Sequence, residues 1–264
     1  MRAGKVSVVA GDGSAGDSGD GGPATAAELN GPQGVGVDAS GDLYIADTSN
    51  CEVREVAARS GTQWGVAMVT GHIYTVAGTP TCGQTGDGGP VAKAELWDPS
   101  DVVVGPSGDL LVSDSGGEEV LDMPAVSGSY YGVHVDAGDI AAVAGFGFYG
   151  PYLIDGLPGT GETAELNSPG QIALDPAGDL FVTDTYSSCI REVTAVASSQ
   201  RGLQLKAGDM YTVAGAMSTG PYNQATTWIG PEMLYPVGVA VGPGGTLFYS
   251  DQGANEVRVI PAGA

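Results

Sequence analysis

Pro32-Gln33-Gly34-Val35-Gly36-Val37-Asp38-Ala39-Ser40-Gly41-Asp42-Leu43-Tyr44-Ile45-Ala46-Asp47 is the stretch that decides the fold. Residues 34–38 alternate, Ala39 to Asp42 form a short glycine-containing turn, and residues 43–47 alternate again. Two alternating runs joined by such a turn predict a β-hairpin, because side chains on a strand point to opposite faces with a period of two. The turn recurs as Pro106-Ser107-Gly108-Asp109, Pro176-Ala177-Gly178-Asp179 and Pro243-Gly244-Gly245-Thr246.

Working outward, the whole chain repeats in one register. Val-Ala-Gly occurs at 9–11, 76–78, 143–145 and 213–215. A proline follows at 32, 99, 169 and 236, a turn glycine at 41, 108, 178 and 245, and an aspartate at 47, 114, 184 and 251. The steps are 67 or 70 residues throughout. A third strand is read at residues 52–56, echoed at 190–193 and 256–260, and a fourth at 73–77, echoed at 140–144 and 210–214. Four antiparallel strands per repeat make a propeller blade, and one blade cannot bury both faces alone. The expected fold is therefore all-β, a β-propeller of four four-stranded antiparallel blades in a single domain over residues 1–264. Residues 5–10 read as a fourth-type strand and residues 256–260 as a third-type strand, so pairing them is expected to complete the last blade and close the ring. Half of an eight-bladed dimer and a piece of a longer array stay open beside this reading.

The segment from Pro32 to Asp47, followed by Val53-Arg54-Glu55-Val56, resembles the NHL repeat of β-propellers. The link from Gly19 through Asp20-Gly21-Gly22-Pro23 to Leu29 is similar to the variant in bacterial secreted NHL proteins and teneurin-type propellers. The resemblance covers nearly the whole chain and implies the fold. It does not imply one activity, since such propellers include lyases, amidating enzymes and interaction modules. The repeats here are longer than the ordinary NHL repeat, through an insertion between strands three and four such as residues 57–72.

Composition narrows the partners. The chain has 264 residues, of which 45 are glycine and 16 proline, yet 42 % are hydrophobic, so a packed core is expected. Nine basic against 31 acidic residues give a net charge of −22, which repels nucleic acid and anionic membrane surfaces. No run approaches the ~18 apolar residues of a membrane span.

Alternating strand directions put the links after strands two and four on one face, called the top. The hairpin turns and the inserts, with His72 and His134, fall on the bottom. Asp47, Asp114, Asp184 and Asp251 would form a ring near the top, expected to brace the turns that follow rather than to ligate a metal. The first link is rich in Asp and Gly, and Asp12, Asp17 and Asp20 are its candidate calcium ligands, although the spacing is not that of an EF-hand. The competing expectation is that Asp20 and Asp87 cap short helices starting at Pro23 and Pro90. Phe148, Tyr149, Tyr152, Tyr222, Trp228 and Tyr235 crowd the third and fourth links, and rings beside acids suit a carbohydrate or peptide groove. Cys51 and Cys82 fall at neighbouring strand ends on the top face, so a disulfide between them is expected; Cys189 has no evident partner.

With two histidines, no nucleophile elbow and few lysines, the expected function is non-catalytic: binding of a protein or carbohydrate through the top-face loops. The rival is a carboxylate-based or calcium-dependent lyase or hydrolase. No cofactor is required on the first reading. The chain is expected as a monomer or homodimer, extracellular or at the cell surface if the disulfide forms and cytoplasmic if all three thiols stay reduced.

Overall fold

β-Branched and aromatic residues alternating with small or polar ones give each repeat the same antiparallel sheet. In the computed structural model, which describes residues 4–147, 155–160, 164–200, 203–215 and 233–262, the first blade holds β1 (Val35–Val37), β2 (Leu43–Asp47), β3 (Glu52–Val56) and β4 (Ile73–Gly78), hydrogen-bonded in that order. The second holds β5 (Pro99–Val104), β6 (Leu110–Asp114), β7 (Glu119–Met123) and β8 (Asp139–Gly145). The third holds β9 (Pro169–Leu174), β10 (Leu180–Asp184), β11 (Cys189–Val193) and β12 (Asp209–Gly215). The fourth holds β13 (Pro236–Val241), β14 (Leu247–Asp251) and β15 (Glu256–Ile260). The four antiparallel sheets are arranged as the blades of a β-propeller, and no helix among the described residues could span a membrane.

Period-two alternation splits the core into slices between blades. Tyr44, Val53 and Tyr74 of the first blade meet Val102, Val112 and Leu121 of the second. Leu111, Val120 and Val143 then meet Ile172, Leu180 and Val182 of the third, and Phe181, Ile190 and Val213 meet Val239, Leu247 and Tyr249 of the fourth. The inner strands pack in series: β1 on β5, β5 on β9, β9 on β13. Hydroxyls stitch the same junctions, Ser113 Oγ donating to the Pro169 carbonyl at 3.1 Å and Thr183 Oγ1 to that of Val237 at 3.2 Å.

Two repeated details explain residues that alternation alone leaves out. The turn glycines Gly41, Gly108, Gly178 and Gly245 all have φ between 83° and 91°, where other residues are strained. Each outer strand also bulges before its Ala-Gly, leaving Val76, Val143 and Val213 out of the ladder. The inserts form two-stranded ribbons on the bottom face, such as Gly61–Gln63 with Val66–Met68. Trp64-Gly65 and Tyr131-Gly132 make their turns, both residues at positive φ as a type I′ turn demands.

One expectation needs correction. Residues 5–10 are not a strand, no backbone hydrogen bond joins them to β15, and Val6 is fully exposed. Among the described residues the fourth sheet therefore has three strands, not four. Among the described residues no junction comparable to the three internal ones joins the fourth blade to the first, so residues 5–10 are not brought onto the β15 edge.

Candidate functional site

The aspartates that end the second strands are wholly buried and act as clamps. Each accepts the N–H of the residue two places before the repeat proline: Asp47 from Asn30 at 2.7 Å, Asp114 from Trp97 at 2.8 Å, Asp184 from Asn167 at 2.8 Å and Asp251 from Leu234 at 2.9 Å. The third strands bring arginines to three of them, with Arg54 Nη1 3.4 Å from Asp47 and Arg258 Nη1 3.0 Å from Asp251. Arg191 opposes the burial that lifts Asp184, which still reaches about 6. In the second blade Leu121 holds the arginine position, and burial pushes the Asp114 carboxyl well above its usual range. This ring is occupied by its own backbone.

The link aspartates are likewise engaged. Asp20 pairs with Arg54 Nη2 and accepts the Thr75 N–H at 2.9 Å. Asp87 accepts from Ala142 at 2.7 Å and Asp155 from Thr212 at 2.8 Å, in each case the residue just before the outer-strand bulge. The caps expected of Asp20 and Asp87 do not form, because the short 3₁₀ turns Ala24–Ala26 and Val91–Lys93 start at prolines without a side-chain cap while the carboxylates reach the outer strand instead. Asp12 accepts from Ser14 at 2.7 Å. Among the described residues no three His, Cys, Asp or Glu side chains gather as a metal site, and Asp12, Asp17 and Asp20 are not brought together in one. Cys51 and Cys82 are disulfide-bonded with Cα atoms 5.3 Å apart, and Cys189 is buried with its thiol donating to Asp184 at 3.8 Å. His72 contacts the Gly21 carbonyl and His134 lies 3.6 Å from Asp136.

The clamps have a consequence at the surface. They pin the chain so that the residue before each proline lies in the left-handed region: Gly31, Asp98, Ser168 and Tyr235, at φ 60°, 58°, 51° and 55°. Glycine takes such angles freely, so the strain held by the surrounding fold falls on the other three, Asp98, Ser168 and Tyr235. Asp98 and Ser168 line a cavity of about 460 Å³ at the top face, together with Gln33, Ser49, Ser115 and Glu118. Ser115 and Ser168 hydroxyls meet at 3.2 Å, and the Glu118 carboxylate accepts the Ser168 N–H. Burial raises the Glu118 pKa, with that hydrogen bond opposing it. Tyr186 forms one wall and meets Tyr235 edge to face, ring centres 5.8 Å apart. Both tyrosines are exposed.

Of the six aromatic residues expected to bind ligand, Tyr235 is the one described; Phe148, Tyr149, Tyr152, Tyr222 and Trp228 lie outside the described residues. Sequence reasoning passed over the pre-proline ring and Tyr186. The available signal was the variety Gly, Asp, Ser, Tyr at a fixed place before an unvarying proline.

A second cavity, of about 580 Å³, opens on the bottom face between the Trp64 ribbon and the turns of the second blade. Beside it Glu55 accepts from Trp64 Nε1 at 2.9 Å, and burial with neighbouring Asp42 pushes its carboxyl up to about 7. The equivalent Asp122 is raised to about 8 by burial and by Asp109. Because third-strand acids recur at this place in three blades, they belong to the blade architecture first.

Residues 29–55 match the model of the NHL repeat. No curated protein sequence matches the chain. Among solved structures, an auxiliary nutrient binding protein from Bacteroides thetaiotaomicron is 15 % identical, with a TM-score of 0.55 over 90 % of this chain and 49 % of its own. A putative phosphatase from the same organism is 14 % identical, with a TM-score of 0.54 over 88 % of this chain and 48 % of its own. A protein of unknown function from that organism is 16 % identical, with a TM-score of 0.54 over 86 % and 46 %. The chain thus spans about half the length of these structures. At such identities the likeness is one of fold.

Proposed function

We propose that this chain, an NHL-repeat β-propeller, is a non-catalytic binding module whose top face takes a polyhydroxylated ligand such as an oligosaccharide. The observation that carries this is the top-face cavity, where hydroxyl, amide and carboxylate groups converge beside the exposed Tyr186–Tyr235 pair. Sugar rings offer apolar faces for stacking and hydroxyls for hydrogen bonding, and the cavity supplies partners for both. Phe148, Tyr149, Tyr152, Tyr222 and Trp228 belong to the links that precede Ser168 and Tyr235, so they extend the same reading to residues beyond those described. The Cys51–Cys82 disulfide supports an extracellular or cell-surface location.

Titration against a panel of soluble oligosaccharides tests this. Tyr186→Ala or Tyr235→Ala is expected to remove about 1 kcal/mol, a roughly fivefold loss of affinity, without lowering the melting temperature. Failure of every panel member to bind, or unchanged affinity in both variants, overturns the reading.

A further inference from the structure

The bottom-face cavity of about 580 Å³ lies at the junction of the first two blades, with a wall from each. Its counterpart at the next junction, lined by Tyr130, Tyr131 and Gly178, measures about 430 Å³. The two differ in one bridging side chain. Trp64 and Tyr131 hold the same turn position in successive ribbons. Tyr131 is buried and crosses to the following blade, where its hydroxyl donates to the carbonyl of the turn glycine Gly178 at 2.7 Å. Trp64 turns back instead. Its Nε1 donates to Glu55 of its own blade at 2.9 Å, and its ring meets Tyr44 edge to face. Gly108, the counterpart of Gly178, is left on the cavity wall.

The space left open is acidic and aromatic on one side and apolar on the other. The first blade supplies Asp38, Tyr44, Gln63 and Trp64, whereas the second supplies uncharged groups such as Pro124, Ala125 and Ala137. Asp38 accepts the Ser40 and Asp42 N–H groups through Oδ1, both at 2.8 Å, and among the described residues its Oδ2 accepts none. Asp42 and Glu55 are buried. The Asp42 oxygens are taken by the Ala58 N–H and by Gln63 Nε2, while Glu55 Oε1 has no hydrogen-bond partner among the described residues. Burial first, then the charges of Glu55, Asp38 and Asp42, raise the pKa of the Tyr44 hydroxyl, which places three acids around one ring. No Lys, Arg or His is among the residues that line the cavity.

We propose that this cavity is a second ligand site, separate from the top-face one, and takes a small organic cation of the alkylammonium or alkylguanidinium class. The cationic head lies between the Trp64 ring and the Asp38 carboxylate, and the alkyl chain lies against Pro124 and Ala125. Tryptophan is the best of the aromatic partners for a cation, and a carboxylate adds a charge-assisted hydrogen bond. The volume falls within the roughly 300–1,000 Å³ of small-molecule sites. A net charge of −22 raises the concentration of cations near the surface, while the cavity selects those with an apolar body.

Titration followed by nuclear magnetic resonance tests this. The chain has three tryptophans, hence three indole N–H signals, and the one missing in Trp64→Tyr belongs to Trp64. Butylammonium and butylguanidinium are expected to shift that signal saturably, and 1-butanol, the uncharged counterpart, to bind at least about tenfold more weakly. Calorimetry reads the variants. Asp38→Asn keeps an acceptor for the two turn N–H groups but removes the charge, and is expected to weaken binding of both cations roughly tenfold. Trp64→Tyr places at the first junction the residue that bridges the second, so it is expected to abolish binding without lowering the melting temperature. The proposal is overturned by a Trp64 signal that neither cation shifts, or by 1-butanol binding as tightly as butylammonium. Unchanged affinity in either variant also overturns it, since attraction to the overall negative charge would then account for the binding.

Discussion

At the scale of single residues, the molecule separates buried acids that have a cation from those that do not. Asp47 and Asp251 meet arginines, while Asp122 is wholly buried with no hydrogen-bond partner for either oxygen among the described residues. Burial, with Asp109 nearby, raises its carboxyl to about 8, and burial raises Glu119 to about 7. A carboxyl whose folded pKa is raised binds its proton more tightly in the folded state. Its contribution is therefore fully present below the unfolded value near ~4 and is lost as pH rises through the folded value. The melting temperature should fall between about pH 5 and about pH 8, the opposite of the trend for salt-bridged acids. Asp122→Asn should flatten that fall, raising stability at pH 8 by about 1 to 3 kcal/mol and changing little at pH 5. Calorimetry across the range checks it, and an unchanged pH profile in the variant refutes the assignment.

At the scale of elements, the disulfide links the turn after β2 to the link after β4, within one blade. With a sequence separation of 31, loop entropy alone stabilises by about 3 to 4 kcal/mol. Cys51→Ser with Cys82→Ser should lower the melting temperature, and reductant should lower the wild type to the same value. If reductant leaves the wild type unchanged, the bond is not contributing. The hairpins, the outer strands and the clamp positions were all legible from register, because each recurs at a fixed offset from an unvarying Pro, Gly or Asp, whereas the disulfide, present in one blade alone, was read from two strand ends that share the top face. Strand pairing between residues 5–10 and β15 is absent among the described residues. Register says which strands match but not how far the blades turn per step, so it could not tell whether the fourth blade meets the first. The top-face cavity was legible only in part: the aromatic links stood out by composition, whereas the pre-proline ring is defined by backbone angles that composition does not encode.

At the scale of the whole molecule, an array of blades holds together through nearest-neighbour junctions, so stability should vary along the chain rather than be uniform. The second and third blades are packed on both sides. The first has one blade neighbour, but its other face is partly covered by Ala24 and Ala27 of the link, which bury Ile45 and Ile73, and the disulfide ties its top. Among the described residues the fourth has one blade neighbour, three strands and an exposed third strand. Amide exchange should therefore be slowest in β5 to β12, intermediate in β1 to β4 and fastest in β13 to β15. Uniform exchange across the four blades would refute this nearest-neighbour account.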